Sequence, residues 1–213
     1  MNNENPVSVS EDVPSPVDLR KQTDAAQWAN EVNVKRPWRY SFFEMYAELI
    51  QQQNAVDILE LGSGPGFLAE YLLEHCPEIQ YSALDFSDAM HQLSIQRLLP
   101  EQLKRSKFYT ADFKQSGWNQ GLEQYDLIII HQALHELRHK KHALNFHLQI
   151  RKHLKDDAVY LVCDHLYADD AMSNNELYMS MEEHFKTFEQ AGFRQVQVLK
   201  KIKGLCAFSC QKT

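Results

Sequence analysis

A short run of residues, ELGSGPG from Glu60 to Gly66, combines an acidic side chain with three glycines. Glycines let the backbone turn sharply and approach a ligand closely, and amides at a following helix start point outward. Asp85 lies at the end of the next apolar run, where a carboxylate accepts both hydroxyl hydrogens of a ribose. The spacing therefore predicts that a nucleoside binds at this turn.

The identity of the nucleoside depends on what flanks the glycines. The dinucleotide fingerprint GxGxxG needs a small third residue, but counted from Gly62 that position is the bulky Phe67. Glu60 beside the turn would repel a pyrophosphate, whereas it suits a cationic amino group. A ligand with a ribose, an ammonium group and no phosphates fits better, which describes S-adenosylmethionine. A nicotinamide-dependent oxidoreductase is the alternative that Phe67 and Glu60 oppose.

Three histidines are candidates for proton transfer, because imidazole titrates near neutral pH. His131 and His135 follow the apolar run YDLIII, and His165 follows the run AVYLVC. We expect His135 to be the general base, and we expect it and His165 to contact the substrate. The competing interpretation is that these histidines are structural or exposed. We expect the later ones to lie on the exposed face of a helix: His139, His142, His147 and His153.

The segment HELRH, from His135 to His139, also matches the HExxH pattern, in which two histidines one helical turn apart bind zinc. Here the segment directly follows a buried strand, so its first residues should form a loop rather than the middle of a helix. A third ligand is also needed, and nothing in the sequence singles one out. We therefore expect no metal site and no zinc hydrolase.

Apolar runs alternate with helical patterns along most of the chain. The run from Leu127 to Ile130 is apolar without alternation, as in a central parallel strand covered on both faces. Ser87 is placed to cap the helix that follows Asp85. The order of strands and helices predicts an α/β fold with an open, doubly wound, Rossmann-like sheet that ends in a hairpin near Lys203–Gly204.

The chain divides into three regions by composition. Residues 1–22 hold prolines among serines and acids, and we expect a disordered tail. Residues 23–53 are helical in two pieces and form a predicted N-terminal lid, and residues 54–213 form the nucleoside-binding domain. In the lid, we expect Trp38, Arg39 and Tyr40 to contact the substrate, with Arg39 and Arg36 available for a carboxylate. The alternative is that the aromatic residues belong to the core.

Overall composition narrows the class of protein. The 213 residues suit one domain, with 44% hydrophobic and 24% charged residues. The formal net charge of -7 argues against a broad nucleic-acid-binding face. The sequence has no apolar run near the roughly 20 residues of a membrane span and no signal-peptide pattern. The four cysteines show no CxxC spacing, so we expect reduced thiols and a cytoplasmic protein.

Four motifs in order, ELGSGPG, LDFS, TADF and YDLIIIHQALHEL, resemble the class I S-adenosylmethionine-dependent methyltransferases. The resemblance covers residues 56–213 and implies seven strands in the order 3-2-1-4-5-7-6, with one antiparallel strand. It also implies transfer of a methyl group to an O or N nucleophile of a small molecule. A domain that binds the cofactor without catalysis is the alternative.

The resemblance also implies roles for individual residues. Glu60 and the backbone of Gly62, Ser63 and Gly64 would hold the methionine portion of the cofactor, and Asp85 would hold the ribose. His131 would form the floor between cofactor and substrate. The adenine would be held by four residues: Phe86, Ala111, Asp112 and Phe113. Taken singly, Asp85 and Asp112 also have plain interpretations as an acid near a helix and a loop acid.

Overall fold

The computed structural model of the chain describes residues 11–212, and residues 1–10 of the predicted tail lie outside the described residues. The strands are β1 (Asp57–Leu61), β2 (Gln80–Asp85), β3 (Ser106–Thr110), β4 (Tyr125–His131), β5 (Leu154–His165), β6 (Arg194–Ile202) and β7 (Leu205–Gln211). The α-helices are α1 (Gln22–Lys35), α2 (Tyr40–Gln53), α3 (Phe67–His75), α4 (Asp88–Arg97), α5 (Pro100–Leu103), α6 (Ala143–Ile150) and α7 (Met181–Gln190).

The strands form one sheet in the order β3-β2-β1-β4-β5-β7-β6, which confirms the predicted order. All neighbouring pairs are parallel except those of β7, which runs antiparallel to both β5 and β6. The carboxyl ends of β1, β2, β4 and β5 therefore meet at one edge of the sheet. In such sheets ligands bind beyond this edge.

The sheet is covered on both faces, which explains the continuous apolar run in β4. Leu127 and Ile129 pack with α2 and α3, while Ile128 and Ile130 pack with the α6 and α7 side. All four side chains are fully buried. A central strand without a solvent-facing side has no position for a polar residue, so the alternation of a half-exposed strand is absent.

The two helices of the second half, α6 and α7, are short, with 8 and 10 residues. A 3-10 turn lies on each side of α6, and α7 starts at Met181 behind a capping box made by Ser180 and Glu183. We expected four histidines around α6 to lie on an exposed helix face, and this prediction is wrong for two of them. His147 is fully buried against Tyr160 and Phe188, and His139 is 9% exposed.

The N-terminal helices are built into the domain. In α2, Phe42, Phe43 and Tyr46 are fully buried in the core. Burying each large apolar side chain contributes roughly 1.5–3 kcal/mol, so α2 is anchored to the sheet. These three aromatic residues of α2 thus belong to the core.

Residues 11–20 have defined contacts, although the sequence predicted a disordered tail up to residue 22. They run as an irregular segment whose backbone and side chains bond to residues more than 90 positions away, among them Asp112 and Arg138. Such contacts are not encoded in local composition. The physical reason for the difference is that the carbonyl groups of this segment satisfy a buried arginine side chain.

All four cysteines are buried and unpaired: Cys76, Cys163, Cys206 and Cys210. Cys163 lies on β5, and Cys206 and Cys210 lie on the neighbouring β7, inside the sheet. Within residues 11–212, no helix combines the length and the apolar character that a membrane span requires.

Candidate cofactor and acceptor site

A cavity of about 750 Å³ lies beyond the carboxyl ends of the strands. Its wall includes the glycine turn after β1, the end of β2, the loops after β4 and β5, and parts of the N-terminal segment. Most of the predicted site residues line it: Arg39, Glu60, Gly62, Ser63, Gly64, Asp85, Phe86, Ala111, Asp112, Phe113, His131, His135 and His165. The residues predicted from strands far apart in sequence therefore share one site.

The glycine turn is built for close approach. Gly62 and Gly64 have φ angles of 69° and 55°, in the left-handed region that favours glycine. A Cβ at Gly62 would lie 2.3 Å from the Cβ of Ala133, so this position packs against the loop after β4. At Gly64 a Cβ would meet no atom within 4 Å, and this residue lines the cavity. Gly62 thus serves packing, and Gly64 leaves backbone open to a ligand.

Asp85 organises the turn from the end of β2. Its Oδ2 accepts a hydrogen bond from Gly64 N at 2.8 Å, and its Oδ1 accepts one from Ser87 N at 2.9 Å. Burial raises the pKa of Asp85, while the two amide donors act in the opposite direction. Each oxygen of a carboxylate retains a further acceptor site after one bond. Asp85 can therefore hold the turn and still accept from a ligand.

Glu60 and Arg39 are an acidic and a basic side chain in the cavity wall, both of them buried. Burial raises the pKa of Glu60 to about 8, and the Tyr81 hydroxyl, which donates to it, and Arg39 act against that shift. Burial lowers the pKa of Arg39 to about 10. Arg39 donates to Asn33 at 3.0 Å, but its Nε has no hydrogen-bond partner among the described residues. An anionic group in the cavity would satisfy this guanidinium.

His131 ends β4 with one ring nitrogen turned to the protein and the other without a partner in the described part of the chain. A hydrogen bond of 3.0 Å joins His131 Nδ1 to the Tyr46 hydroxyl. Nε2 is buried and has no protein partner there. Burial, assisted by the nearby charge of Arg39, keeps the pKa of His131 well below its usual range. His131 is thus a neutral ring in the wall of the cavity.

His135 is held by Asp164, the last acidic residue of β5. The Nδ1 of His135 lies 2.7 Å from Asp164 Oδ1, and the backbone N of His135 donates to Asp164 Oδ2 at 2.7 Å. Burial would lower the pKa of His135, but the Asp164 carboxylate raises it above its ordinary value. Burial alone would raise the pKa of Asp164, yet the contacts with His135 lower it to about 2. Asp164 is therefore an anion that orients the His135 ring.

The other predicted histidine, His165, lies close to this pair. Its ring centre is 6.1 Å from that of His135, and the ring of Tyr178 lies 5.5 Å from His135. The amide nitrogen of Gln132 donates to His165 Nε2 at 3.0 Å. Burial lowers the pKa of His165 to about 4, so this ring is neutral. His165 and Tyr178 form an aromatic wall beside the candidate base.

Two of the predicted substrate residues lie outside the cavity wall. Trp38 packs under Lys203, whose ammonium lies 4.2 Å from the ring centre. Tyr40 is 40% exposed and packs edge-on against Phe43. The aromatic residue of the lid that does line the cavity is Trp28. Local sequence does not distinguish these aromatic side chains, since which of them lines the cavity depends on where the chain bends after α1.

Several residues of the cavity wall were not singled out as site residues by sequence reasoning. They are Arg20, Gln132, Glu136, Arg138 and Tyr178. Asp164, which was not singled out either, lies directly behind the wall and is bonded to His135. Asp164 had a usable signal, because it ends the apolar run AVYLVCD just as Asp85 ends the second strand. Arg20 had none, since it lies in a segment whose composition resembles a tail.

Arg20 occupies the end of the cavity where the resemblance places the adenine. Its guanidinium lies 4.5 Å from the centre of the Phe86 ring and 2.9 Å from Asp112 Oδ2. The other carboxylate oxygen of Asp112 accepts from Lys114 N at 3.0 Å. On the far side, Phe113 packs with Trp118 and Phe146, and Ala111 joins the same apolar cluster.

The HELRH segment has the wrong geometry for an HExxH zinc site. Leu134–Leu137 form one 3-10 turn, and Arg138 ends it with a φ of 64°. His139 is extended and accepts a hydrogen bond from Lys141 N. His135 and His139 therefore do not share one face of an α-helix. Within residues 11–212, no three His, Cys, Asp or Glu side chains are grouped as metal ligands.

Comparison with known proteins agrees with this geometry. Residues 59–160 match the family model described as a methyltransferase domain. A malonyl-[acyl-carrier protein] O-methyltransferase of Bacillus cereus is 25% identical over 137 residues, which cover 64% of this chain and 48% of that protein. One from a Paenibacillus species is 30% identical over 88 residues, 41% of this chain and 32% of that protein. The chain thus matches about half or less of these relatives' length.

Solved structures show the same fold. Human N-acetylserotonin methyltransferase, solved in complex with S-adenosylmethionine, superimposes with a TM-score of 0.70 at 16% identity, over 91% of this chain and 57% of that one. An O-methyltransferase family protein from Burkholderia thailandensis gives a TM-score of 0.63 at 14% identity, over 91% and 63% of the two chains. The matched methyltransferase domain, the strand order and these superpositions together give the chain the Rossmann-like fold of the class I S-adenosylmethionine-dependent methyltransferases.

Proposed function

We propose that this protein transfers the methyl group of S-adenosylmethionine to an O or N nucleophile of a small molecule, with a hydroxyl favoured. The observation that carries the proposal is that His135 lines the same cavity as the glycine turn and is held from behind by the buried Asp164. A hydroxyl must lose its proton when it is methylated, and an imidazole oriented by a carboxylate accepts such a proton.

The cofactor supplies an electrophilic methyl group on a sulfonium, so the chain has to bind, align and exclude water. Its amino-acid end carries one cation and one anion. Arg39 presents a positive charge, and its unpartnered Nε is suited to the carboxylate. Glu60, whose pKa is raised to about 8, would ionise beside the ammonium group, because a nearby cation favours the carboxylate. Asp85 would accept from the ribose hydroxyls, as its remaining lone pairs allow.

The acceptor would lie between the cofactor and the His135 ring. Because Asp164 is ionised beside Nδ1, that nitrogen carries the hydrogen, which leaves Nε2 as the proton acceptor. His165 and Tyr178 would position the acceptor through ring contacts. His131, neutral and buried, adds no positive charge next to the sulfonium. The curated relatives act on a carrier-protein-linked malonyl group, and a carboxylate acceptor of that kind would not require a base.

Two measurements test the proposal. Calorimetric titration should show binding of S-adenosylhomocysteine and S-adenosylmethionine and no binding of NADH. A panel of small hydroxyl and amine compounds, incubated with isotope-labelled cofactor, should then yield a methylated product. Binding of NADH instead of the sulfur nucleosides would contradict the cofactor assignment. Cofactor binding without transfer to any acceptor class, carboxylates included, would point to the catalytically silent alternative.

A further inference from the structure

Residues 12–20, which we name the N-terminal strap, cross from one end of the cavity to the other. At the catalytic end the strap is tied to Arg138, directly after the turn that carries His135. Arg138 donates from Nε to Val13 O at 2.9 Å and from its terminal nitrogen to Pro14 O at 2.8 Å. In return, Val13 N donates to Arg138 O at 2.8 Å. Arg138 is only 6% exposed, so this end is firmly held.

The other end of the strap reaches the loop after β2. The Ser87 hydroxyl donates to Leu19 O, which places Arg20 beside the next residues of the cavity wall. The Arg20 guanidinium then stacks on the Phe86 ring and pairs with Asp112. Phe86 offers a π face and Asp112 an anionic acceptor, and a planar guanidinium uses both in the way an aminopurine ring would.

A planar group on Phe86 and a donor on Asp112 are the two contacts that the proposed cofactor position needs for adenine. Arg20 already makes both, and the second oxygen of Asp112 is bonded to Lys114 N. We propose that the strap is an internal competitor of the cofactor: Arg20 occupies the adenine subsite and has to leave it before the nucleoside binds. This inference rests on the proposed function, since it requires the cofactor to bind in this cavity.

The contact is weak enough to be displaced. The side chain of Arg20 is 57% exposed and that of Asp112 is 19% exposed, so water and salt screen the pair. A contact of this strength lowers the fraction of molecules with a free adenine subsite by a small factor, and it does not block the nucleoside completely. We expect the competition to reduce the affinity for the nucleoside about fivefold.

The first test is the affinity for S-adenosylhomocysteine of the wild type, of Arg20→Ala and of Lys35→Ala. Lys35 is a matched control, because it loses a surface ion pair with Glu31 on the outer side of α1. We expect Arg20→Ala to bind about fivefold more tightly, with the gain in the association rate, and Lys35→Ala to match the wild type. Raising the salt concentration should tighten binding of S-adenosylhomocysteine to the wild type and leave the affinity of Arg20→Ala unchanged. Only the wild type has the Arg20–Asp112 ion pair, which salt screens.

A second test follows the strap itself. Trypsin cleavage after Arg20 in the wild type should become faster when S-adenosylhomocysteine is added, because the displaced segment is released. Unchanged binding by Arg20→Ala would contradict the competition and show that Arg20 has no effect on nucleoside binding. Weaker binding by this variant, or slower cleavage with ligand, would also contradict it and show that Arg20 contacts the cofactor. If neither the wild type nor Arg20→Ala binds the nucleoside, the proposed function fails instead.

Discussion

The Nδ1 of His135 lies 2.7 Å from Asp164 Oδ1, and the same carboxylate also accepts the backbone N–H of His135. One aspartate thus fixes both the ring and the main chain of the candidate base. The ring cannot turn away without breaking its contact with Oδ1. This relationship between the ends of β4 and β5 leads to the first two predictions.

Replacing His135 by alanine should remove most of the methyl transfer to a hydroxyl acceptor. General base catalysis contributes on the order of 100-fold or more, so we expect kcat to fall by about that factor. Affinity for S-adenosylhomocysteine should stay within about twofold, because the ring serves the acceptor. His153→Ala is the control, since His153 bonds to Asn119 and Glu123 away from the cavity. Equal losses of kcat in both variants would rule out a role for His135 as the base.

The pKa of His135 should fall when Asp164 is replaced by asparagine. In the wild type the Asp164 charge outweighs burial and raises this pKa above 6.5; without that charge, burial dominates and lowers it. NMR titration of the imidazole protons measures the shift without any acceptor. For methyl transfer, the wild-type rate should rise with pH through the raised pKa, and in Asp164→Asn this limb should move to lower pH. An unchanged His135 titration would contradict the pairing.

Arg39→Met should weaken binding of S-adenosylhomocysteine by about tenfold or more, since a hydrogen-bonded charged partner of the ligand carboxylate is lost. The same variant should bind 5′-methylthioadenosine as the wild type does, because that nucleoside lacks the amino-acid end. The comparison of two ligands separates a local contact from a general collapse of the site. Weakening of both ligands to the same extent would place Arg39 in a structural role.

Gly62→Ala should destabilise the fold more than Gly121→Ala. Both glycines have positive φ angles, 69° and 84°, so each alanine has a backbone cost of about 1–2 kcal/mol. Only at Gly62 does the new Cβ collide, 2.3 Å from Ala133 Cβ, whereas Gly121 faces open space. We expect a further loss of about 1–3 kcal/mol at Gly62, measured by urea unfolding. Equal losses would mean that the loop after β4 shifts freely.

His184→Phe should protect the protein against acid. His184 is 1% exposed, stacks on Phe208, and has no hydrogen-bond partner among the described residues for either ring nitrogen. Burial lowers its pKa from 6.5 to about 4. Stability from the neutral ring is therefore full above pH 6.5 and is lost as pH falls toward 4, by about 2 kcal/mol at pH 5. The loss of unfolding free energy between pH 8 and pH 5 should be about 2 kcal/mol smaller in His184→Phe than in the wild type, and unchanged in His153→Phe.

The features that sequence reasoning predicted are those set by short-range pattern. The glycine turn, Asp85 and the Ser87 cap each follow from a strand, a turn and a helix start within a few residues. The strand order came with the family resemblance, which those motifs carried. The position of His131 and His135 then followed, because the ends of parallel strands meet at one edge.

The features that it missed depend on contacts between distant segments. His147 and His184 are buried because α6 and α7 turn those faces toward the sheet, and single polar residues do not reveal the facing side. Trp28 rather than Trp38 lines the cavity because of the bend after α1. Arg20 finds Asp112 across 92 positions of chain, which no local composition encodes.

The burial of every cysteine has a practical consequence. Burial raises the pKa of the thiols on β5 and β7, so neither solvent access nor thiolate formation favours reaction in the folded state. A thiol-specific dye will therefore label Cys163, Cys206 and Cys210 only when the helices that cover β5 and β7 move away from the sheet, whereas Cys76 lies outside the sheet at the end of α3. The labelling rate of the three sheet thiols thus measures how often this cover opens.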